Sequence, residues 1–265
     1  MDLELAGKRA LVTGGSRGIG LAVARALAAE GADVALLARD KAALEAARDS
    51  VAAASGRRVI AVSADTGDDR SVREAVDAVA GELGGADILV NAAARPNTGA
   101  PGGIDEFDAG EFSEQVNVKV LGYLRCIRAV VPLMRASGWG RIVNVSGLAA
   151  RTTGAITGTI RNVAVSALTK NLADELGKDG INVTVVHPGV TVTEQSPEIL
   201  ALRAARAGVS VTEIERRLGA AVGIGRLVTA EEVAAVVVFL ASPKSVAING
   251  DAIAVGGGTK GPLYY

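Results

Sequence analysis

Cysteine and histidine each occur once in 265 residues, aromatic residues make up 3%, and the formal net charge is -1. A lone Cys126 excludes a disulfide framework. Set in an apolar helical pattern, it reads as a core thiol. A lone His187 excludes a histidine-built metal centre and a Ser-His-Asp triad, so no metal is expected. His187 directly precedes Pro188-Gly189 at a strand end and reads as structural, although its ordinary pKa suits proton transfer. Near-neutral charge and few rings remove the electrostatic footprint and stacking platforms of nucleic-acid binders. The longest apolar run, residues 233–241, is too short to cross a bilayer. The opening Met1-Asp2-Leu3-Glu4 lacks the basic-then-apolar pattern of a signal peptide, and a cytoplasmic location is expected. No repeat, low-complexity linker or composition break divides residues 1–265. One domain is therefore expected, and its 49% hydrophobic content suffices for a substantial core.

What the sequence does have is glycine in a telling place. An apolar run at residues 10–12 breaks into Thr13, Gly14 and Gly15, and Gly18 and Gly20 then open an apolar helical pattern. This reads as strand, tight turn and helix N-terminus. Glycine lets a ligand approach the main chain, and the free amides and positive dipole end of a helix favour phosphate. The spacing G-x-x-x-G-x-G is also compatible with an ordinary strand-to-helix turn.

The rest of the chain alternates short β-rich runs with longer helical patterns. Further strands are predicted at 32–37, 58–62, 86–90, 141–145, 182–186 and 251–255. Helices are predicted at 41–54, after the third strand on Val72, Val76, Val79 and Leu83, at 109–136, and at 158–177. Asp108 and Glu111 fit a capping pair for 109–136. Phe112, Val116, Tyr123, Ile127 and Met134 mark its buried face, and Pro132 predicts a kink. A glycine- and proline-bearing loop at 95–103 precedes it. Residues 195–225 read as a less regular helical excursion covering a site. Thr229 and Glu232 form a capping box before Val233, Val236, Val237 and Leu240. Nearly continuous apolar strands separated by helices imply a parallel sheet covered on both faces. The expected fold is α/β, a single doubly wound Rossmann domain with a seven-stranded parallel sheet, its ligand at the carboxyl ends of the strands.

By these residues the chain resembles the short-chain dehydrogenase/reductase family over almost its whole length. Thr13 to Gly20 is similar to the family's T-G-x-x-x-G-x-G turn, which implies cofactor contacts from Gly14, Ser16, Arg17, Gly18, Ile19 and Gly20. Asp65, followed by Thr66, resembles the aspartate that contacts adenine. Asn91, Ala92 and Ala93 stand where the family has N-N-A-G. Asn117 is similar to the asparagine of the long helix. Pro188, Gly189, Val190 and Thr193 resemble the P-G-x-x-x-T segment around the nicotinamide carboxamide. Gly225-Arg226 and Gly256-Gly257 fit the C-terminal pattern. The resemblance also implies a homo-oligomer, dimer or tetramer, built on helices 109–136 and 158–177, and a small-molecule substrate.

An acidic residue at the end of the second strand would bind the ribose of NAD and repel a 2′-phosphate. That position falls on Ala38. Arg39 follows and Arg17 lies in the glycine turn, and two guanidinium forks there suit a phosphate, unless both are merely solvated. Asp40 comes next and is also able to turn inward. NADP(H) is the expected cofactor, with NAD(H) second.

The family's reaction uses a tyrosine to pass the proton, a lysine one helical turn later and a serine on the fifth strand. Residues 145–162 contain neither tyrosine nor lysine. Anchoring on Ala167-Leu168-Thr169-Lys170 places the tyrosine position at Gly158 and the lysine position at Asn162. The serine position falls on Gly147, with Ser146 beside it. A positioned acid or base contributes roughly 10²–10⁴-fold, and substrate positioning supplies a separate, comparable term. Asn117, Ser146 and Asn162 remain as candidate catalytic groups, with water relayed through Asn117 and Ser146. Thr157 and Thr159 can hydrogen-bond, Arg161 can orient an anion, and Tyr123 reads as a packing residue. Three readings stay open: an NAD(P)-dependent oxidoreductase with altered chemistry, a nucleotide-binding pseudoenzyme or scaffold subunit, and a non-redox enzyme that keeps the cofactor as structure. Arg203, Arg206, Arg216 and Arg217 either attract an acidic substrate or solvate a helix face.

Overall fold

The structure, a computed structural model, describes residues 1–95 and 104–261. Most of the loop expected at 95–103, and the last residues of the tail, lie outside the described residues. Seven parallel strands form the sheet in the order β3-β2-β1-β4-β5-β6-β9. They are β1 (Arg9–Thr13), β2 (Asp33–Ala38), β3 (Val59–Ser63), β4 (Ile88–Asn91), β5 (Gly140–Val145), β6 (Ile181–Pro188) and β9 (Ala252–Val255). The expected doubly wound sheet is present. A short parallel pair, β7 (Thr191–Val192) with β8 (Val228–Thr229), stands apart from it and was not anticipated.

The two-residue period of the strands explains the layering. Val12, Leu36, Val90 and Val143 point to one face, where α1 (Gly18–Ala29) and α9 (Ala230–Leu240) deliver Val23, Leu27, Val233 and Val237. Their neighbours Leu11, Leu37, Leu89 and Ile142 point to the other, against α3 (Asp69–Leu83) and α5 (Gly122–Ser137) with Val72, Val76, Ile127 and Met134. Cys126 is buried in that second layer, in accord with a core thiol. Both faces of every central strand are therefore dry, and alternation of polar and apolar residues is absent from them.

Capping sets where the helices begin. The Asp40 carboxylate accepts from Ala43 N at 3.1 Å and starts α2 (Lys41–Ser55). The Asp108 carboxylate accepts from Glu111 N at 3.0 Å and starts α4 (Ala109–Val116). Thr229 and Glu232 close the expected capping box on α9.

One expectation needs correction. The continuous helix at 109–136 is interrupted at residues Asn117–Leu121 by a π turn, between α4 and α5. The helix runs on through Pro132 inside α5, so the break falls a few turns earlier than the proline kink expected there. A π turn takes in an extra residue and re-aims the side chains around it. Phe112 and Val116 are only partly buried, whereas Tyr123, Ile127 and Met134 are fully buried. The helix that follows β5 is α6 (Ile156–Leu176), beginning two residues before the expected start. The excursion at 195–225 contains two helices, α7 (Ser196–Ala207) and α8 (Val211–Ala220), joined by a small cluster of Leu200, Ala204 and Ile214.

β1 sits between β2 and β4, so the direction of winding reverses there. Open α/β sheets hold ligands in the crevice beyond the strand ends at such a switch point.

Candidate active site

The crevice is fixed by hydrogen bonds between adjacent strand ends. Thr13 Oγ1 accepts from the amides of Ala92 and Ala93, both at 3.1 Å, and binds the end of β1 to the end of β4. Gly14 has φ 67°, and a Cβ there would stand 3.0 Å from the Ala92 carbonyl. At Gly20 a Cβ would be 2.3 Å from the Gly14 oxygen. Both positions therefore require glycine for the turn itself. Gly18 needs glycine for its backbone, at φ 56°, although a Cβ there would meet only the Thr193 methyl at 3.7 Å. Its amide opens α1, and it donates to a Glu194 carboxylate oxygen at 2.8 Å. An anion thus rests on the first amide of the helix, the arrangement that suits a phosphate.

A cleft of about 400 Å³ runs from this turn across the strand ends. Gly14, Ser16, Arg17, Gly18, Ile19 and Gly20 line its start. Arg39 and Asp40 line the β2 side, and Asp65 and Thr66 the β3 side. Ala92, Ala93 and Thr193 border its middle, with Val118, Lys119, Val145 and Ser146 at the far end. Asp65 accepts from Gly67 N at 2.8 Å, which holds the turn after β3. Arg17 and Arg39 are exposed, and neither forms an ion pair among the described residues. The Asp40 carboxylate is engaged as the α2 cap.

Other expected contacts lie off the lining. Asn91 is fully buried beneath it, donating to Asn144 Oδ1 at 3.0 Å. Asn144 in turn donates to Thr169 Oγ1 at 3.0 Å, so this chain of amides joins β4, β5 and α6. Pro188 ends β6, Gly189 packs on Gly256, and Val190 is exposed. None of the three borders the cleft.

Among the three candidate catalytic groups, the structure brings two together. Ser146 Oγ donates to the Asn162 backbone oxygen at 3.1 Å and lies 3.3 Å from its Oδ1. Asn162 is buried behind Ser146, outside the cleft lining. Asn117 is not part of this group. Its amide donates to Gly67 O at 3.3 Å, and its Oδ1 accepts from Arg125 at 2.8 Å, so it braces the start of α3. The π turn instead carries Lys119 to the cleft, where Nζ donates to the Ser146 carbonyl at 2.9 Å. Sequence reasoning missed this lysine. The signal available was a cation at a position flanked by valines, two residues beyond the asparagine chosen.

Lys119 is 4% exposed and no carboxylate pairs with it among the described residues. Burial, reinforced by the charge of Arg161, brings its ammonium down to about 7. Burial also lowers His187 to about 4, helped by Arg151 and Lys119, so its ring is neutral at pH 7. The His187 ring is spent on structure, with Nδ1 accepting from Gly147 N at 3.4 Å and Nε2 3.3 Å from Ser166 Oγ. Tyr123 is fully buried, its hydroxyl donating to the Val145 carbonyl at 2.8 Å, and burial raises its phenol. Arg161 is buried against Gln115, its Nε without a partner. In the excursion, Arg216 and Arg217 both pair with Glu213 on their own helix. No group of three metal-ligating side chains occurs among the described residues. No helix there is long and apolar enough to cross a membrane.

A nucleotide-binding crevice at the switch point of a doubly wound sheet defines the class of protein. The family model described as Enoyl-(Acyl carrier protein) reductase matches residues 14–260. The short-chain reductase protein NovJ of Streptomyces niveus is 35% identical over 254 residues, covering 94% of this chain and 92% of NovJ. The crystal structure of L-sorbose reductase from Gluconobacter frateurii, complexed with NADPH and L-sorbose, superposes with a TM-score of 0.92 at 32% identity, covering 99% of this chain and all of that one. NAD+-bound xylitol dehydrogenase superposes with a TM-score of 0.89 at 28% identity, covering 96% of this chain. The chain belongs to the short-chain dehydrogenase/reductase family.

Proposed function

We propose that this chain is an NADP(H)-dependent oxidoreductase acting on a small carbonyl compound or the corresponding alcohol, with a non-standard proton-transfer site. The cleft running from the Gly18 amide to Ser146 and Lys119 carries this reading. The residues present fit a dinucleotide: a carboxylate already rests on the Gly18 amide, where a phosphate would. The glycine turn would hold the diphosphate on its amides, and Arg17 and Arg39 would fork onto a 2′-phosphate. Asp40 spends Oδ1 on the α2 cap, and Ala38 stands where an acid would select NAD, which favours NADP(H) over NAD(H). Bound there, a reduced nicotinamide supplies a hydride. Ser146 is placed to orient a carbonyl oxygen, and the tyrosine and lysine positions at Gly158 and Asn162 offer no proton.

Following nicotinamide absorbance with a panel of ketones, aldehydes, enals, quinones and alcohols tests the reading. Cofactor-dependent turnover of at least one supports it. A second reading, a nucleotide-binding subunit without turnover, is favoured by Asn162, whose oxygens occupy the Ser146 hydroxyl. Tight binding with no turnover across the panel would establish it. A homo-oligomer through the two long helical segments is part of the proposal. Exposed Leu121 and Leu124 on one, and Ile160 and Val163 on the other, are the apolar surface such a contact would cover.

A further inference from the structure

Lining the cleft, Lys119 is buried, has no acidic partner among the described residues and adjoins the serine of the site. A lysine so placed costs desolvation, and its hydrogen bond to the Ser146 carbonyl does not require a charge. A packing role alone would be served better by leucine or methionine. The ammonium has three donors, and one is used on Ser146, leaving N–H groups for the cleft that Lys119 lines.

We propose that Lys119 is the residue that exchanges a proton with the substrate oxygen, in place of the missing phenol; this rests on the oxidoreductase reading. In the reducing direction, hydride arrives at the carbonyl carbon from a reduced nicotinamide coenzyme, and the C=O π pair moves to oxygen. That oxygen takes a proton from Lys119 Nζ, which is left as a neutral amine still donating to Ser146 O and is reprotonated from solvent. In the oxidising direction the neutral amine takes the hydroxyl proton as hydride departs to the oxidised coenzyme. Atoms and charge balance in both.

The groups facing Lys119 make this exchange feasible near neutral pH. Arg161 on α6 is cationic and His187 on β6 is neutral. Glu111 on α4 acts on Arg161. The result is an ammonium near 7, and a proton donor works best when its pKa lies close to the operating pH. An arginine in the same place would keep its charge and hydrogen bonds but could not release a proton.

The test combines three measurements on Lys119→Met and Lys119→Arg beside the unaltered protein. Lysine-selective ¹³C-NMR should show one side-chain signal titrating near pH 7 that is missing from both variants. NADPH titration should give dissociation constants within about threefold of the unaltered protein. Turnover should fall about 10²–10⁴-fold in both, with the break near pH 7 in the single-turnover rate lost. A Lys119 signal that titrates above pH 10, or Lys119→Arg retaining rate and pH break, overturns the assignment. NADPH binding by the unaltered protein without turnover of any carbonyl tried, or failure to bind NADPH at all, instead sinks the oxidoreductase reading, and this inference with it.

Discussion

Lys119 Nζ lies 2.9 Å from the Ser146 carbonyl oxygen, and the lysine has no acidic partner among the described residues. The contact joins the π turn to the end of β5. It has an energetic consequence independent of catalysis.

Folded, Lys119 loses its proton near 7, whereas an unfolded chain would hold it to about 10.5. The unfolded state then binds more protons between those values, so stability rises with pH across that window. Below it the buried charge destabilises the fold. Lys119→Met should therefore be more stable than the unaltered protein, by roughly a few kcal/mol near neutral pH, with a flatter profile from pH 7 to 10. Urea midpoints at several pH values check this. A variant less stable at every pH would contradict it.

The carboxylate of Glu194 on the Gly18 amide must leave before a phosphate can take its place. Exposed charge contacts are worth under about 1 kcal/mol, so Glu194→Gln should tighten NADPH by up to about fivefold and leave stability near unchanged. Calorimetry on the two proteins provides the comparison. Weaker binding in the variant would mean the glutamate contacts the cofactor rather than competing with it.

Arg39 stands beside Ala38, where an acid would select NAD. A hydrogen bond to a charged group is worth about 1.5–3 kcal/mol. Arg39→Ala should then weaken NADPH by about 10- to 100-fold and leave NADH almost unchanged. Equal loss for both nucleotides would show that the arginine does not read the phosphate.

Asp87 bonds Arg9 side chain and backbone, with Nη2 at 2.6 Å and the amide at 2.9 Å. Burial pushes the carboxyl up, but the hydrogen bonds and charge of Arg9 outweigh it, and its pKa lies below the ordinary value. The sign follows: this pair contributes fully above about pH 4 and is lost as pH falls through the lower native value. Asp87→Asn should cost about 1–3 kcal/mol at pH 7, and the cost should shrink as acid protonates the native carboxyl. A cost that does not change with pH would assign the effect to packing.

Much of the fold was readable because dry strands and glycine turns leave plain marks. Val12, Leu36, Val90 and Val143 alternate faces with their neighbours, and the Thr13 to Gly20 turn has two glycines that sterics demand. The far end of the site was less legible. The family resemblance puts Asn117 at the site, but the π turn brings Lys119 to the cleft, and no composition signal marks a π turn. Asn162 was read as a cleft residue, and only packing reveals that it stands behind Ser146. Arg216 and Arg217, left open between substrate and solvent, are both bound by Glu213. The two-residue pair β7 and β8 is too short to show a period.

The most direct measurement is isothermal calorimetry of NADPH and NADH against the purified, unaltered protein at one salt concentration. Expected is saturable binding of one NADPH per chain, at least tenfold tighter than NADH, because Arg17 and Arg39 line the cleft and Ala38 stands where an acid would select NAD. Absence of saturable binding by either nucleotide would contradict the assignment of this cleft.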